Sequence, residues 1–566
     1  MRPDMGWRSI GAGLILAMGA AAAAPCRAAS PHPVRAPHAM VASAESIASG
    51  MGVQILQAGG NAVDATVAVG FALAVTYPQA GNLAGGGFSV VRTADGRVVA
   101  LDYRETAPEA ASRNMYVDAT GKVDDHLSRE GFLAAGVPGT VAGLYELHRK
   151  LGHLPFDKLL EPARELAEAG FAVPYSLAQS LREEKDLLGS FPESDALFLR
   201  NGKFFEEGEL FKQPALAATI ATIQRDGPAA YYRGRIAKEI AEVVGSGGGL
   251  ITREDLESYK PVWREPIRLT YRGYEMYSMP PPSSGGIILA QVLNTLEPVD
   301  LRSLGFHSSR AVHWIAEAMR RAYCDRARFL GDPDFVRIDA AKLTSKEYAV
   351  RLRETIDPAR ATASSMLEGR QHEALETTHY CVVDAAGNAV STTYTLNGAY
   401  GCGRMAAGML FNNEMDDFSA SPGHPNMYGL VGSEANSIQP RKRMLSSMTP
   451  TIVVKDGNLM GVVGSPGGST IPTTVIQILI NLIDHGMDIQ EAIDQPRFHH
   501  QYLPDQIKVE PRCLTADGIS ALEAMGHKIV VADGTWGDAQ GIWFDPEAQM
   551  WLGASDSRRW GRTIGY

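Results

Sequence analysis

Two β-rich runs, 378–383 and 389–396, constrain the fold of this chain most strongly. A short turn around Gly387-Asn388 joins them into a hairpin. Pairing of Asp384 near Ala389 brings Thr395 beside Thr377 and Thr378. A second hairpin, 451–454 with 460–464, turns at Asp456-Gly457. Helical patterns surround both. Residues 45–77 carry one, broken at Gly59-Gly60, and 138–245 form a long helical region. A further helix over 311–330 stops at Gly331-Asp332-Pro333, and 471–484 is an apolar helix. The glycine-rich stretch 81–87 leads into strands 88–92 and 98–104 around Asp95-Gly96. Helices flanking strands in this way predict sheets covered by helical layers. Residues 418–440, rich in Gly, Pro, Ser and Asn, show little periodicity and read as a functional lid.

The front of the chain has a different character. Arg2 and Arg8 precede an apolar run from Ile10 to Ala24, and small residues follow at Ala28 and Ala29. That order marks a secretory signal over 1–29, cut within about 24–30. The run is too short for a span of about 20 apolar residues, although an uncleaved anchor is the alternative. Pro25 before Cys26 argues against lipid modification. The mature protein is expected to be soluble and exported, to the periplasm or, alternatively, secreted, with no stable membrane anchor.

Charge narrows the partners. The chain holds 53 basic and 64 acidic residues among 566, a net charge of −11, which disfavours nucleic acid. Hydrophobic residues at 45% and charged residues at 21% fit an ordinary globular protein. The five cysteines are Cys26, Cys324, Cys381, Cys402 and Cys513, and no two form a CxxC. Cys26 is expected to leave with the signal, and the rest to be mostly free thiols. There is no HExxH, no Cys/His cluster, no GxxxxGK[ST] and no GxSxG. Neither metal nor organic cofactor is expected, and any nucleophile must lie elsewhere.

The run Thr377-Thr378-His379-Tyr380-Cys381-Val382-Val383-Asp384 closely resembles the self-cleavage segment of the gamma-glutamyltranspeptidases. Further likeness to that family lies in Gly59-Gly60-Asn61-Ala62-Val63-Asp64-Ala65 and Leu101-Asp102-Tyr103-Arg104-Glu105. It continues in Pro280-Pro281-Pro282-Ser283-Ser284-Gly285-Gly286 and Asn412-Asn413-Glu414-Met415-Asp416-Asp417-Phe418. Leu445-Ser446-Ser447-Met448 and Gly464-Ser465-Pro466-Gly467-Gly468-Ser469 complete the set, in the family's order over roughly 38–566. Ala84, Met444 and Cys381 depart from the usual pattern. Cys381, sharing a face with Thr377 by strand alternation, is expected near the site.

The resemblance implies the four-layer αββα sandwich of the N-terminal-nucleophile hydrolases, an α+β fold shared by two subunits of one precursor. Self-cleavage at Glu376–Thr377 would yield a large subunit, 30–376, and a small subunit, 377–566. It implies a gamma-glutamyl acyltransferase and glutathione hydrolase acting on glutathione and related gamma-glutamyl compounds, with water, amino acids or peptides as acceptors. Thr377 would be the nucleophile and Thr395 its support. Gly467 and Gly468 would form the oxyanion hole. Arg104, Ser446 and Ser447 would hold the substrate's α-carboxylate, and Asn397, Glu414 and Asp417 its ammonium. Tyr428 would screen the site. Each residue has a plainer reading alone: a surface charge for Arg104, a turn or cap for Ser446-Ser447, a strand-to-helix turn for Gly467-Gly468.

The chemistry is coherent in its own terms. A threonine hydroxyl needs a base. In the intact chain Thr377 has only a peptide nitrogen. Cleavage would free an α-amine, whose reference pKa is about 7.7–8.0, within reach of its own hydroxyl. The alternatives are a glutaryl-cephalosporin acylase of the same superfamily, whose substrate need not carry the ammonium, and a non-catalytic exported binding protein.

Overall fold

The computed structural model describes residues 30–364, 377–421 and 423–566. The signal segment 1–29 and Glu376, half of the expected cleavage bond, lie outside the described residues.

The strands form two seven-stranded sheets. One runs in the order Arg562–Gly565, Met40–Ser43, Thr378–Val383, Ala389–Thr395, Gly86–Arg92, Val98–Tyr103, Val262–Arg264. The other runs Val34–Ala36, Met550–Ser555, Gln540–Asp545, Asn458–Gly464, Thr451–Lys455, Tyr274–Ser278, Ile267–Tyr271. Neighbouring strands in both are antiparallel.

The sheets pack face to face. Phe88, Val90, Cys381 and Val383 of the first meet Ile452, Val462, Ile542 and Trp551 of the second. Alternate residues of the same strands point outward, because successive side chains leave a strand on opposite faces. Val91, Tyr380, Val382 and Tyr394 thus pack under helices Ser46–Gln57, Ala62–Thr76 and Thr140–Leu151. On the far side Val453, Val463 and Leu552 pack against Gly285–Leu296, Ser309–Phe329 and Ile471–Ile483. The result is the expected four-layer αββα sandwich. Strands covered on both faces need no polar alternation, so Thr378–Val383 is buried throughout, whereas the edge strand Ile267–Tyr271 alternates buried and exposed residues. Segments before and after Thr377 supply strands to both sheets, so neither could complete a sheet alone.

Helix Ala62–Thr76 shows how a sequence motif becomes packing. Asn61 and Asp64 form a reciprocal capping box at its start. The Ala62 N–H donates to Asp384 Oδ2 at 2.9 Å, tying the helix to the turn of the central hairpin. Tyr394 Oη donates to Gly70 C=O at 2.9 Å from the strand below.

The hairpin register is one residue tighter than the sequence reading. Val383, not Asp384, pairs with Ala389, because Asp384 turns away to bond the Asn388 backbone and side chain. Thr378 faces Tyr394, which leaves Thr395 opposite Thr377 alone. Cys381 keeps the expected face but not the expected place. It is sealed between the sheets, with Sγ 3.2 Å from His379 Nε2 and 3.5 Å from the Gln540 carbonyl it faces. Cys324, Cys402 and Cys513 are likewise buried free thiols. Among the described residues no helix is long and apolar enough to cross a membrane.

Candidate active site

Thr377 immediately precedes a central strand of the first sheet and is 4% exposed. Thr395, at the end of the neighbouring strand, places its Oγ1 3.4 Å from Thr377 Oγ1. The same Thr395 oxygen accepts the Asn397 N–H at 2.8 Å, so its own proton is directed elsewhere, toward Thr377. Asn397 sits at φ +78, a left-handed conformation that Asn tolerates better than most residues. Its amide donates to the Asn413 carbonyl at 3.0 Å, fixing the chain as it leaves the strand.

Gly467 and Gly468 approach Thr377 from the second sheet, just beyond strand Asn458–Gly464 and before helix Ile471–Ile483. Their φ values are +132 and +53. A Cβ on Gly468 would fall 2.3 Å from Tyr428 Cδ1, so only glycine lets this backbone and that ring coexist. Successive positive-φ residues of this kind turn N–H groups inward and can receive a developing oxyanion.

On one side of Thr377 lies a small cavity of about 20 Å³, lined by Arg104, Thr377, Thr395, Asn397, Asp417, Tyr428, Ser446, Ser447 and Gly468 among others. Sequence positions hundreds of residues apart converge here. Arg104 is delivered by the end of strand Val98–Tyr103. Ser446 and Ser447 are positioned by the proline-serine-glycine run. The Ser446 N–H donates to Pro282 C=O at 2.8 Å and the Ser284 N–H to Ser446 C=O at 2.8 Å. Ser447 Oγ is buried with no hydrogen-bond partner among the described residues. The cavity it lines leaves such a hydroxyl room to meet a polar ligand group.

The carboxylates expected to take an ammonium are engaged by Arg104 instead. Its guanidinium contacts Glu414 Oε2 at 2.6 Å and Asp417 Oδ2, and Glu105 lies 3.7 Å away. Burial opposes the Arg104 charge, but Glu414, Asp417 and Glu105 outweigh it and hold the cation above its ordinary pKa. Burial pushes Glu105 up to about 8 and drives Glu414 well above the usual carboxylate range, despite the neighbouring arginine. Asp417 is also raised by burial, against the pull of Arg104 and Arg326. Asn412 sets this acidic turn by accepting the Glu414 N–H at 3.1 Å and the Gly136 N–H at 2.8 Å. Asp416 is engaged elsewhere: it accepts from Ser128 Oγ at 2.5 Å and from the Met427 N–H at 2.7 Å.

Residues 426–430 pack against the site, with Tyr428 and Leu430 lining the cavity. Asn426 donates to Asp417 Oδ1 at 2.8 Å and accepts the N–H groups of Tyr428 and Leu430. Tyr428 Oη donates to the Asn397 carbonyl at 2.8 Å, and the ring is 4% exposed. Ten of the eleven residues singled out from sequence line the cavities that border Thr377, and Glu414 joins them through Arg104.

Sequence reasoning gave no role to Glu105, Arg326, Tyr77 or Trp536. Arg326 is fully buried on helix Ser309–Phe329, donates to Ser284 Oγ at 3.2 Å, and is pushed down to about 10 by burial. Glu105 directly follows Arg104 in the Leu101-Asp102-Tyr103-Arg104-Glu105 motif, which is the signal that could have found it. His379, on the strand after Thr377, is pushed down to about 3 by burial and is neutral; it is no general base near neutrality.

This constellation can be set against known proteins. A family model described as Gamma-glutamyltranspeptidase matches residues 48–566. The chain belongs to the gamma-glutamyltranspeptidase family. It is therefore an enzyme with the N-terminal-nucleophile hydrolase fold. It is 48% identical over 525 residues to a glutathione hydrolase proenzyme of Escherichia coli, covering 92% of this chain and 90% of that one. It is 39% identical over 521 residues to an acylase ACY 1 proenzyme of a Pseudomonas strain, covering 90% of each. Among solved structures it matches a cephalosporin acylase from Bacillus halodurans with a TM-score of 0.84, 28% identity and coverage of 98% and 99%.

Proposed function

We propose that the chain cuts itself between Glu376 and Thr377 and then works as a glutathione hydrolase and gamma-glutamyl transferase. Thr377 Oγ attacks the γ-carbonyl of glutathione or a related amide. Its proton passes to the freed α-amine and on to the departing nitrogen as the C–N bond breaks. Thr395 orients the nucleophile. The N–H groups of Gly467 and Gly468 stabilise the oxyanion. Water or an amino acid or peptide amine then cleaves the Thr377 ester. Arg104, Ser446 and Ser447 take the substrate's α-carboxylate. Asn397, Glu414 and Asp417 take its ammonium, so a bound donor replaces the internal pairing of Arg104 with an external one of the same charge pattern. Tyr428 closes the site against water. The leader at 1–29 directs the enzyme to the periplasm.

One observation carries the reading: Thr377 stands between a positive-φ glycine pair and a buried cradle that holds both a guanidinium and two carboxylates. A glutaryl donor would use the guanidinium but leave Glu414 and Asp417 without an ammonium, and a pocket built for a polar group discriminates strongly against a ligand lacking it. Comparing γ-glutamyl- and glutaryl-p-nitroanilide tests this. The γ-glutamyl compound is expected to be at least about 100-fold better in kcat/KM. A preference for the glutaryl compound would assign the chain to the acylases.

A further inference from the structure

Helix Ser309–Phe329 carries a buried arginine whose charge has no direct counter-ion. Arg326 is 4% exposed, and among the described residues no carboxylate is in ion-pair contact with it. The buried Arg104, Arg320 and Arg497 each have such a partner. A buried cation without one is costly, so the contacts it does make have to account for its place.

Those contacts lead to the acyl cradle. Arg326 Nε donates to Ser284 Oγ at 3.2 Å. That hydroxyl donates to the Ser446 carbonyl at 2.8 Å, and the Ser284 N–H donates to the same oxygen at 2.8 Å. The Ser446 carbonyl and the Ser447 N–H belong to one planar peptide group, so fixing the first orients the second. Ser446 Oγ accepts the Met448 N–H at 3.1 Å, which leaves its own proton to donate. Three residues earlier on the same helix face, Tyr323 Oη donates to the Ser469 carbonyl, next to the oxyanion glycines. One helix face thus braces both the serine turn and the glycine turn. The charge of Arg326 also reaches the acidic turn. Burial raises Asp417, and Arg104 and then Arg326 oppose that rise. Arg326 does not line the cavity, so a ligand there does not displace it.

We infer that Arg326 is a positioning residue for the donor: through Ser284 it sets the Ser446-Ser447 turn that takes the α-carboxylate, and its charge keeps Asp417 an acceptor for the ammonium when Arg104 turns to the ligand. The inference rests on the acyl-transfer reading above and adds a residue to it. The charge count supports it. Glu105, Glu414 and Asp417 share one guanidinium, that of Arg104. Once Arg104 pairs with the donor's carboxylate, Asp417 keeps Asn426 as a neutral partner and Arg326 as the second cation acting on it. A ligand with both carboxylate and ammonium therefore depends on Arg326 twice. A ligand with the carboxylate alone depends on it once.

Inhibition by L-glutamate and by glutarate separates the two dependences. It is read as Ki against γ-glutamyl-p-nitroanilide hydrolysis in wild type, Arg326→Met, Arg326→Lys and Ser284→Ala. Arg326→Met is expected to raise the glutamate Ki about tenfold, the scale of one charged hydrogen bond, and the glutarate Ki less. KM for the anilide is expected to rise with it and kcat to change less, a split that a merely loosened fold would not give. Arg326→Lys restores the charge and is expected to recover most of the glutamate affinity. Ser284→Ala cuts the relay alone and is expected to weaken both inhibitors equally. Unchanged Ki values in Arg326→Met, or a loss that Arg326→Lys does not repair, would overturn the inference while leaving the acyl-transfer reading intact. Should Arg326→Met not mature, Ser284→Ala decides, and unchanged Ki values there overturn the inference in the same way. A wild type that releases no nitroaniline, or that glutamate does not inhibit, would overturn both.

Discussion

Arg104→Met gives the sharpest test of the buried charge cluster. The guanidinium is 1% exposed and compensates Glu414 at 2.6 Å, with Asp417 in contact and Glu105 at 3.7 Å. Methionine replaces the stem but not the charge, leaving buried carboxylates without their cation. Breaking one buried pair in this way costs about 3–5 kcal/mol. The sign of the pH dependence follows from linkage. These carboxylates have folded-state pKa values above their unfolded values, Glu105 at about 8. The folded state then binds more protons, so stability falls as pH rises through the folded pKa values. Losing Arg104 raises those values further and steepens the fall. Urea unfolding at pH 6 and pH 8, both proteins in an uncleaved Thr377→Ala background, measures the effect. The deficit of Arg104→Met is expected to reach about 3–5 kcal/mol at pH 8 and to shrink at pH 6. A wild-type midpoint at pH 8, or a deficit that grows on acidification, would refute the reasoning.

Thr395→Val keeps the shape but removes the hydroxyl that bridges Thr377 and the Asn397 N–H. Self-cleavage and turnover are expected to slow about 10- to 100-fold, read by gel and by anilide hydrolysis. Gly468→Ala forces a Cβ into the Tyr428 ring at a φ of +53, and kcat is expected to drop at least about 100-fold. Tyr428→Phe loses the bond to the Asn397 carbonyl and should accelerate limited proteolysis within the 418–440 loop several-fold, whereas an unchanged cutting rate would deny the tyrosine its latch role. With His379 held neutral, the acidic limb of kcat/KM is expected near the α-amine value of about 7.7–8.0 and to survive His379→Gln.

Much of this architecture was legible in the chain itself, for identifiable reasons. Helices Ser46–Gln57 and Ala62–Thr76, the latter opened by its capping box, were bounded by glycine and asparagine signals that act locally. The two central hairpins were marked by turn chemistry. Strands such as Met40–Ser43, Tyr274–Ser278 and Met550–Ser555 were not read, because each is short and exists only through pairing with distant partners. The register slip at Asp384 has a similar cause: a side chain that serves a helix start hundreds of residues away cannot be seen in the hairpin alone. The candidate site was legible as a set of motifs but not as electrostatics. The contacts of Arg104 with Glu414 and Asp417 join residues that only the fold brings together.

The central claim is that a new N-terminus at Thr377 makes the catalyst. The denatured intact masses of the purified wild type and of Thr377→Ala test it most directly. The wild type is expected to give two fragments divided before Thr377, and Thr377→Ala a single uncut chain. A folded wild type that remains one chain, or a Thr377→Ala protein that still divides at that bond, would contradict it.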